Sequence, residues 1–178
     1  MGKYETVIPD RDFALELLRK VRLPFPIRQH SINVANKAVE IAKNITKARV
    51  NTRLVEIGGL LHDIGRSVTH GFEHALIGGR ILRERGLPKE LARICETHIL
   101  GGLDKEDAKK VGLPGKDYLP ETLEEKIVCL ADKHMTGNHE VSIEERFQKW
   151  FTKYGKTPLL IKSRKRIIEM EKEIKKLM

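Results

Sequence analysis

The stretch TRLVEIGGLLHDIG, residues 52–65, decides the fold class of this chain. Its apolar residues recur at helical spacing and leave few positions to face water, which predicts a core helix from about Thr52 to Ile64. The glycines at 58 and 59 would let a neighbouring helix approach closely. Gly65 suits the left-handed conformation that commonly ends a helix. A helix this apolar must be covered by other elements of the fold.

Amphipathic helical patterns continue on both sides of this stretch, and no run alternates between apolar and polar residues as a strand would. We therefore predict an all-α fold in a single domain, residues 1–178, with helices from about 143 to 178 packing on a motif region of about 25–136. Residues 103–120 are polar and broken by glycine and proline, which predicts a long loop with at most one short helix. The remaining helices are predicted at about residues 10–21, 28–45, 73–85, 88–99 and 122–135, at the segment bearing Phe147, Trp150, Phe151 and Tyr154, and after Pro158.

The composition is that of a globular protein. Of the 178 residues, 40% are hydrophobic, yet no apolar run approaches the ~20 residues that a membrane span needs. The first ten residues, MGKYETVIPD, lack the apolar stretch of a signal peptide, so we expect a cytoplasmic protein with no membrane partner. Cys95 and Cys129 each lie in an apolar helical pattern, which favours reduced, buried side chains over a disulfide.

The formal net charge of +9 raises the question of a nucleic-acid partner. Basic residues are dispersed among acidic ones, and the one locally basic segment, KSRKRIIEMEKEIKKLM at 162–178, has no aromatic residues to stack on bases. This pattern favours a solvated helix face over nucleic-acid binding. The positive balance does support a small anionic substrate. Whether the chain forms a homodimer is left open.

Four polar residues occupy positions where the helical pattern predicts core: His30, His62, Asp63 and Asp132. A buried ionised carboxylate is costly unless it is paired or coordinates a metal, and one shared cation would serve both aspartates. Adjacent helical residues point about 100° apart, so His62 and Asp63 can both reach an ion at the helix end. Each residue also has a simpler interpretation: a hydrogen-bonded core histidine, a surface carboxylate at a helix end, or, for Asp132 with Lys133, a solvated ion pair.

Three segments carry a resemblance to a known family: RQHSINVANKAVEIA at 28–42, GGLLHDIGR at 58–66 and EEKIVCLADKH at 124–134. Together they resemble the signature segments of the HD superfamily of metal-dependent phosphohydrolases. The resemblance implies a helical bundle with a metal site at its centre. It also implies the metal ligands, which are His30, His62, Asp63 and Asp132.

Relatives in this superfamily that hold a second metal use two further histidines between the HD pair and the last aspartate. By resemblance, His74 and His98 are the candidates here, and Asp63 would bridge the two ions. The simpler interpretations are a solvated residue at a helix start for His74 and a hydrogen-bonded core residue for His98. A mixed shell of imidazole and carboxylate suits a divalent transition metal, Mn, Fe, Co, Ni or Zn, with one or two ions bound.

In the expected mechanism, water activated by the metal attacks phosphorus. Asp63 would orient or deprotonate that water, and Arg66 would bind the phosphate and neutralise its developing charge. Arg28 and Lys133 are further candidates for phosphate binding. The chain departs from the family pattern in having Arg66 where lysine is usual. It also has a single histidine at His98 where some relatives have a pair.

The resemblance implies hydrolysis of phosphate ester or phosphoanhydride bonds, and we expect nucleotides or dinucleoside polyphosphates as substrates. No GYP sequence occurs, which argues against a cyclic-dinucleotide phosphodiesterase of the GYP-containing kind. The loop around Lys116–Tyr118 would then cover the base or a second phosphate. The alternative is a non-catalytic, metal-stabilised module that binds RNA or a protein partner. A helical scaffold without metal is a second alternative.

Overall fold

The computed structural model describes residues 7–178, which form the all-α fold expected from the sequence. Residues 1–6, part of the segment expected to lack a signal peptide, lie outside the described residues. Within residues 7–178, no helix is both long and apolar enough to cross a bilayer. The α-helices are α1 (Arg11–Lys20), α2 (Phe25–Asn44), α3 (Thr52–Leu61), α4 (His74–Glu84), α5 (Lys89–Thr97), α6 (Lys105–Lys110), α7 (Leu123–His134), α8 (Ile143–Tyr154) and α9 (Pro158–Lys176).

Helix α3 lies at the centre of the fold and packs against α1, α2, α5 and α7. Most of its residues are buried, as the apolar pattern predicted. The two glycines make the close packing possible: a Cβ on Gly59 would lie 2.7 Å from Ala35 Cα, and one on Gly58 would lie 2.4 Å from Ile94 Cδ1. These contacts bring α2 and α5 close to α3, and His30 in α2 and His98 directly after α5 are histidines predicted to bind metal.

The end of α3 differs from the prediction. The helix ends at Leu61 and is followed by a 3₁₀ turn, Ile64–Ser67, and Gly65 does not adopt a left-handed conformation. Glycine is needed at this position for another reason, because a Cβ here would lie 1.8 Å from the carbonyl oxygen of His74. The missing side chain therefore lets the start of α4 approach the end of α3.

Local sequence signals explain where helices α2 and α8 begin. Helix α2 begins at Phe25, earlier than predicted, because Pro24 and Pro26 stand at its start, where a missing N–H costs nothing. Ser142 and Glu145 form the complete capping box of α8. The chain also contains a short antiparallel hairpin that the sequence pattern missed, with strands β1 (Met135–Thr136) and β2 (His139–Glu140).

The C-terminal helices hold a strained segment of the chain in place. Leu100, in the 3₁₀ turn Ile99–Gly101, has a left-handed backbone with φ of 53°. Ser163 Oγ of α9 donates to Leu100 O at 2.7 Å, and Arg166 Nη1 donates to Gly102 O at 3.0 Å. Helix α9 thereby fixes the segment that follows α5.

The segment from 103 to 120 is more ordered than the predicted loop. It contains α6, and a β-bridge pairs Leu103 with Tyr118. The Tyr118 side chain is buried in a second apolar cluster with Ala75 and Ile99. Tyr118 and Lys116 are not among the residues that line the cavity near His74 and His98, and the expectation that residues 116–118 cover the substrate stays a prediction.

Candidate metal centre

The six residues predicted as metal ligands converge from five helices. His30 comes from α2, His62 and Asp63 directly follow α3, and the others come from the start of α4, the end of α5 and the last turn of α7. Asp132 Oδ1 lies 3.4 Å from His62 Nε2, although 70 residues separate them in sequence. Groups of three ligand atoms in this cluster lie within 4.8 Å of one another.

One group of side chains surrounds a point between the two aspartates. His30 Nε2 lies 2.9 Å from Asp132 Oδ1 and 3.9 Å from Asp63 Oδ2. His62 Nε2 lies 3.5 Å from the same Asp63 oxygen. Two ligands bound to one ion at about 2.1 Å lie about 3.0–3.4 Å apart at ordinary coordination angles. These four side chains are therefore close to the spacing of a single coordination shell.

A second group lies on the other side of Asp63. Its Oδ1 atom is 3.1 Å from His74 Nε2 and 3.3 Å from His98 Nε2. The two imidazole nitrogens are 3.3 Å from each other. The two oxygens of Asp63 thus face two different pairs of histidines, which is the arrangement of a bridging carboxylate.

Backbone hydrogen bonds determine which ring nitrogen faces the centre. Nδ1 of His62 lies 2.7 Å from Gly59 O, that of His74 lies 2.8 Å from Gly71 O, and that of His98 lies 2.7 Å from Cys95 O. A carbonyl oxygen can only accept, so each Nδ1 donates its proton and each Nε2 presents a lone pair. Metal-ligating histidines are commonly oriented in this way.

Two buried atoms at the centre have unmet bonding capacity. His62 Nε2 and Asp63 Oδ1 make no well-aligned hydrogen bond among residues 7–178, although Arg66 Nε lies 3.1 Å from the Asp63 oxygen. The facing Nε2 lone pairs of His74 and His98 would also repel each other without a positive charge between them. A divalent cation in each group would satisfy these atoms, so the residues present fit a metal.

Burial and neighbouring charges shift the pKa values of the two aspartates at this centre in opposite directions. Burial acts to raise the pKa of Asp63, but His62 and the other facing histidines outweigh it and hold that pKa well below its usual range. For Asp132 burial again acts upward, and Lys133 leads the influences that outweigh it and lower the pKa. Burial lowers the pKa of His98 to about 4. Burial acts to lower the pKa of His62, but Asp63 and Asp132 outweigh it and raise that pKa, so a metal bound there would displace a proton from His62. The ionised carboxylates and a neutral His98 are already in the protonation states that ligation requires.

A cavity of about 610 Å³ opens onto the metal centre. This volume is within the range of roughly 300–1,000 Å³ that is typical of small-molecule sites. His74, His98 and Asp132 line the cavity, together with Arg66 and Lys133. The cavity therefore joins the candidate metal ligands to two positively charged side chains.

The three basic residues predicted to bind substrate differ in their placement. Arg66 lines the cavity, and its Nε lies 3.1 Å from Asp63 Oδ1. Lys133 is buried and donates to Asp132 Oδ2 at 2.6 Å, so the two residues are not a solvated surface pair. Arg28 is not among the residues that line the cavity, and its guanidinium lies 5.7 Å from the centre of the Phe25 ring.

The sequence analysis did not identify the aromatic and apolar residues that line part of the cavity. Helix α8 contributes Trp150 and Tyr154 to it, and the start of α9 contributes Leu159 and Leu160. The aromatic residues of α8 had been noted as part of an amphipathic helix. Their spacing does not distinguish a face that meets the core from one that meets a ligand.

Comparison with known proteins gives three findings. The family model described as "HD domain" matches residues 27–136. An uncharacterized protein of Methanocaldococcus jannaschii is 47% identical over 152 residues, which cover 84% of this chain and 88% of that protein. The tRNA (cytidine(56)-2'-O)-methyltransferase of Picrophilus torridus is 38% identical over 152 residues, 85% of this chain but 44% of that protein. The chain thus spans less than half of that methyltransferase.

A solved structure has the same fold. It is the HD domain of the Listeria monocytogenes (L. monocytogenes) phosphodiesterase PgpH in complex with cyclic-di-AMP, with a TM-score of 0.53 and 21% sequence identity. The match covers 89% of this chain and 96% of that chain. It extends well beyond residues 27–136 and therefore takes in part of the helical structure that flanks the family segment.

Proposed function

Because the chain belongs to the HD domain family, we propose that it is a metal-dependent phosphohydrolase that hydrolyses a phosphate ester or phosphoanhydride bond. The observation that carries the proposal is Asp63, whose two oxygens face two separate histidine groups with inward lone pairs. His30, His62, Asp63 and Asp132 would hold one divalent ion. His74 and His98 would hold a second ion with Asp63 as the bridge.

A divalent transition metal bound here would polarise a phosphoryl oxygen and make hydroxide available from water near neutral pH. Asp63 has a lowered pKa and is therefore ionised, which suits it to holding the ions and orienting the attacking water, whereas the same lowered pKa makes it a weak base for the proton of that water. Lys133 holds Asp132 in position through its hydrogen bond to Oδ2. The carbonyl of His98 accepts from the same ammonium group at 2.8 Å, which ties α7 to the end of α5.

Arg66 is the group best placed to bind the phosphate. It lines the cavity beside Asp63, and its guanidinium can donate to two phosphate oxygens at once. Lys133 adds positive charge to the same cavity. Arg28, which stands away from the cavity lining, has no role in this proposal.

For the substrate we retain nucleotides or dinucleoside polyphosphates. Their anionic phosphates suit the positively charged Arg66 and Lys133 that line the cavity, and its volume of about 610 Å³ is large enough for a nucleotide. The PgpH HD domain was solved with a cyclic dinucleotide, so a nucleotide ligand has a precedent on this fold. The absence of a GYP sequence still separates this chain from the GYP-containing phosphodiesterases.

The test is phosphate release from a panel of nucleoside monophosphates, dinucleoside polyphosphates and cyclic dinucleotides with Mn, Co or Ni added. We expect turnover by the native chain, its loss in Asp63→Asn, and its retention in Asp12→Asn, a matched change in an exposed carboxylate of α1. Metal content is measured on the same samples. Equal turnover by the native chain and Asp63→Asn would reject the assignment.

A second candidate is the non-catalytic module that binds RNA or a protein partner. The observations that favour it are the tRNA methyltransferase name of one relative and the net charge of +9. It predicts tight binding of transfer RNA, no phosphate release with any substrate or metal, and RNA affinity unchanged in Asp63→Asn.

A further inference from the structure

The cavity has a second wall whose chemistry the hydrolytic reaction does not require. Part of its lining is apolar and aromatic, with Trp150 and Tyr154 from α8 and Leu159 from the start of α9. Phe72 lines the cavity from the loop before α4. The α8 and α9 part of this wall lies outside residues 27–136, which match the HD family model.

The indole of Trp150 is held in a fixed orientation. The fully buried Phe147 packs edge-on against it, with ring centres 5.1 Å apart and an interplanar angle of 81°. The guanidinium of Arg146 lies 5.3 Å from the indole centre. A ring supported in this way loses little conformational entropy when a ligand packs on it.

Arg146 also connects this indole to the metal centre. Its guanidinium donates to the carbonyls of Asp132 at 3.1 Å, of Lys133 at 3.0 Å and of Met135, which lie at the C-terminal end of α7. One side chain therefore contacts both the indole and the backbone of a candidate metal ligand.

The wall leaves aromatic surface exposed. The exposed fraction is 57% for Tyr154 and 37% for Phe72, and both residues border the cavity. Large exposed aromatic residues beside a polar cleft commonly mark a binding surface. Their partner must be flat and apolar on its faces, and it must be linked to an anionic group that reaches Arg66 and the metal ligands.

We propose that this wall is a nucleobase subsite in which the base of the substrate stacks on Trp150. The inference rests on the proposed function for the position of the phosphate, but base binding itself does not depend on turnover. A nucleobase combines the two required properties, a flat π surface and a phosphate a short distance away. Stacking on an aromatic side chain tolerates any base, so the subsite selects nucleotides over sugar phosphates more strongly than one base over another.

The experiment uses Trp150 as its own reporter, because it is the sole tryptophan of the sequence. Tryptophan fluorescence and calorimetry follow titrations with AMP, ribose 5-phosphate and inorganic phosphate, on metal-depleted and zinc-loaded protein. We expect AMP to quench the fluorescence and to bind about 5–150-fold more tightly than ribose 5-phosphate, the range that base stacking provides. Equal affinity for the two, or binding of AMP without a change in fluorescence, would overturn the proposal.

Variants separate a binding role from a structural one. Trp150→Phe keeps an aromatic platform and should retain most of the preference for AMP. Trp150→Leu removes the platform, so it should abolish the preference while leaving affinity for ribose 5-phosphate unchanged. If Trp150→Leu weakens both ligands equally, or leaves the preference intact, the subsite is refuted. If the native chain shows the preference but hydrolyses no nucleotide, the proposed function fails and the base subsite stands.

Discussion

Replacing Gly65 with alanine should disrupt the metal centre without touching a ligand. The added Cβ would lie 1.8 Å from His74 O, 2.7 Å from His74 C and 2.8 Å from the backbone nitrogen of Gly78. All three atoms are backbone atoms of α4, so no side-chain rotation can relieve the overlap. An ordinary carbon–oxygen contact is about 3.3 Å or more, so the start of α4 would have to move by roughly 1.5 Å.

Two consequences of this shift can be measured. Overpacking of this kind costs about 1–3 kcal/mol, which for a chain of this length lowers the melting temperature by roughly 2–12 °C. His74 begins α4 and lies 3.1 Å from Asp63 Oδ1, so the shift also moves it away from the proposed site of the second ion. Disturbed positioning around a metal typically costs about 10–100-fold in affinity.

The assay combines differential scanning calorimetry of the metal-depleted chain with calorimetric titration of Zn or Mn. Gly78→Ala is the matched control, because it alters the same contact between α4 and the turn after α3, and its Cβ would lie no closer than 3.3 Å to Gly65 N, a far milder overlap. We expect Gly65→Ala to lose the weaker ion selectively and Gly78→Ala to keep both. An unchanged melting temperature with two ions bound at native affinity would refute the reasoning.

Three further outcomes are expected. His74→Ala should lower the bound metal from two ions to one by elemental analysis, since it removes a ligand from one group alone. Arg146→Met should lower the free energy of unfolding by about 1–3 kcal/mol in urea titrations, because the carbonyls at the end of α7 lose their donor. Burial acts to raise the pKa of Asp107, but hydrogen bonds from Arg166 and Lys162 outweigh it and lower the pKa. Asp107→Asn should therefore cost about 1.5–3 kcal/mol at pH 7, and the difference from the native chain should shrink below about pH 4, where the carboxylate is protonated in the unfolded chain but still ionised in the folded one.

The sequence was sufficient to select the six side chains that the structure brings together. Histidine and aspartate at buried helical positions conflict with the apolar pattern around them, and that conflict is visible without coordinates. The simpler interpretation of Asp132 as part of a solvated pair was wrong, because Lys133 is buried and faces the same centre. Residue type alone does not reveal whether a lysine beside an aspartate is inside the fold.

Other features depend on how distant elements dock. Gly65 was assigned to a left-handed helix end, but its role is a contact with His74, and that contact depends on the path of the intervening loop. Trp150 and Tyr154 have the spacing of any amphipathic helix, so their position at the cavity follows from the placement of α8. The pairing of Tyr118 with Leu103 and its burial likewise depend on how this segment docks on the rest of the fold.

The hydrogen bond from Ser163 to Leu100 limits how far the chain can be shortened without disturbing the candidate metal centre. Residues 27–136 contain every candidate ligand, but the left-handed turn directly after His98 is fastened from outside that range. A protein shortened to the family segment would keep all six ligand side chains. It would lose the hydrogen bond that fixes the turn after His98, so His98 would no longer be held in position. The minimal catalytic unit should therefore extend at least to the middle of the last helix.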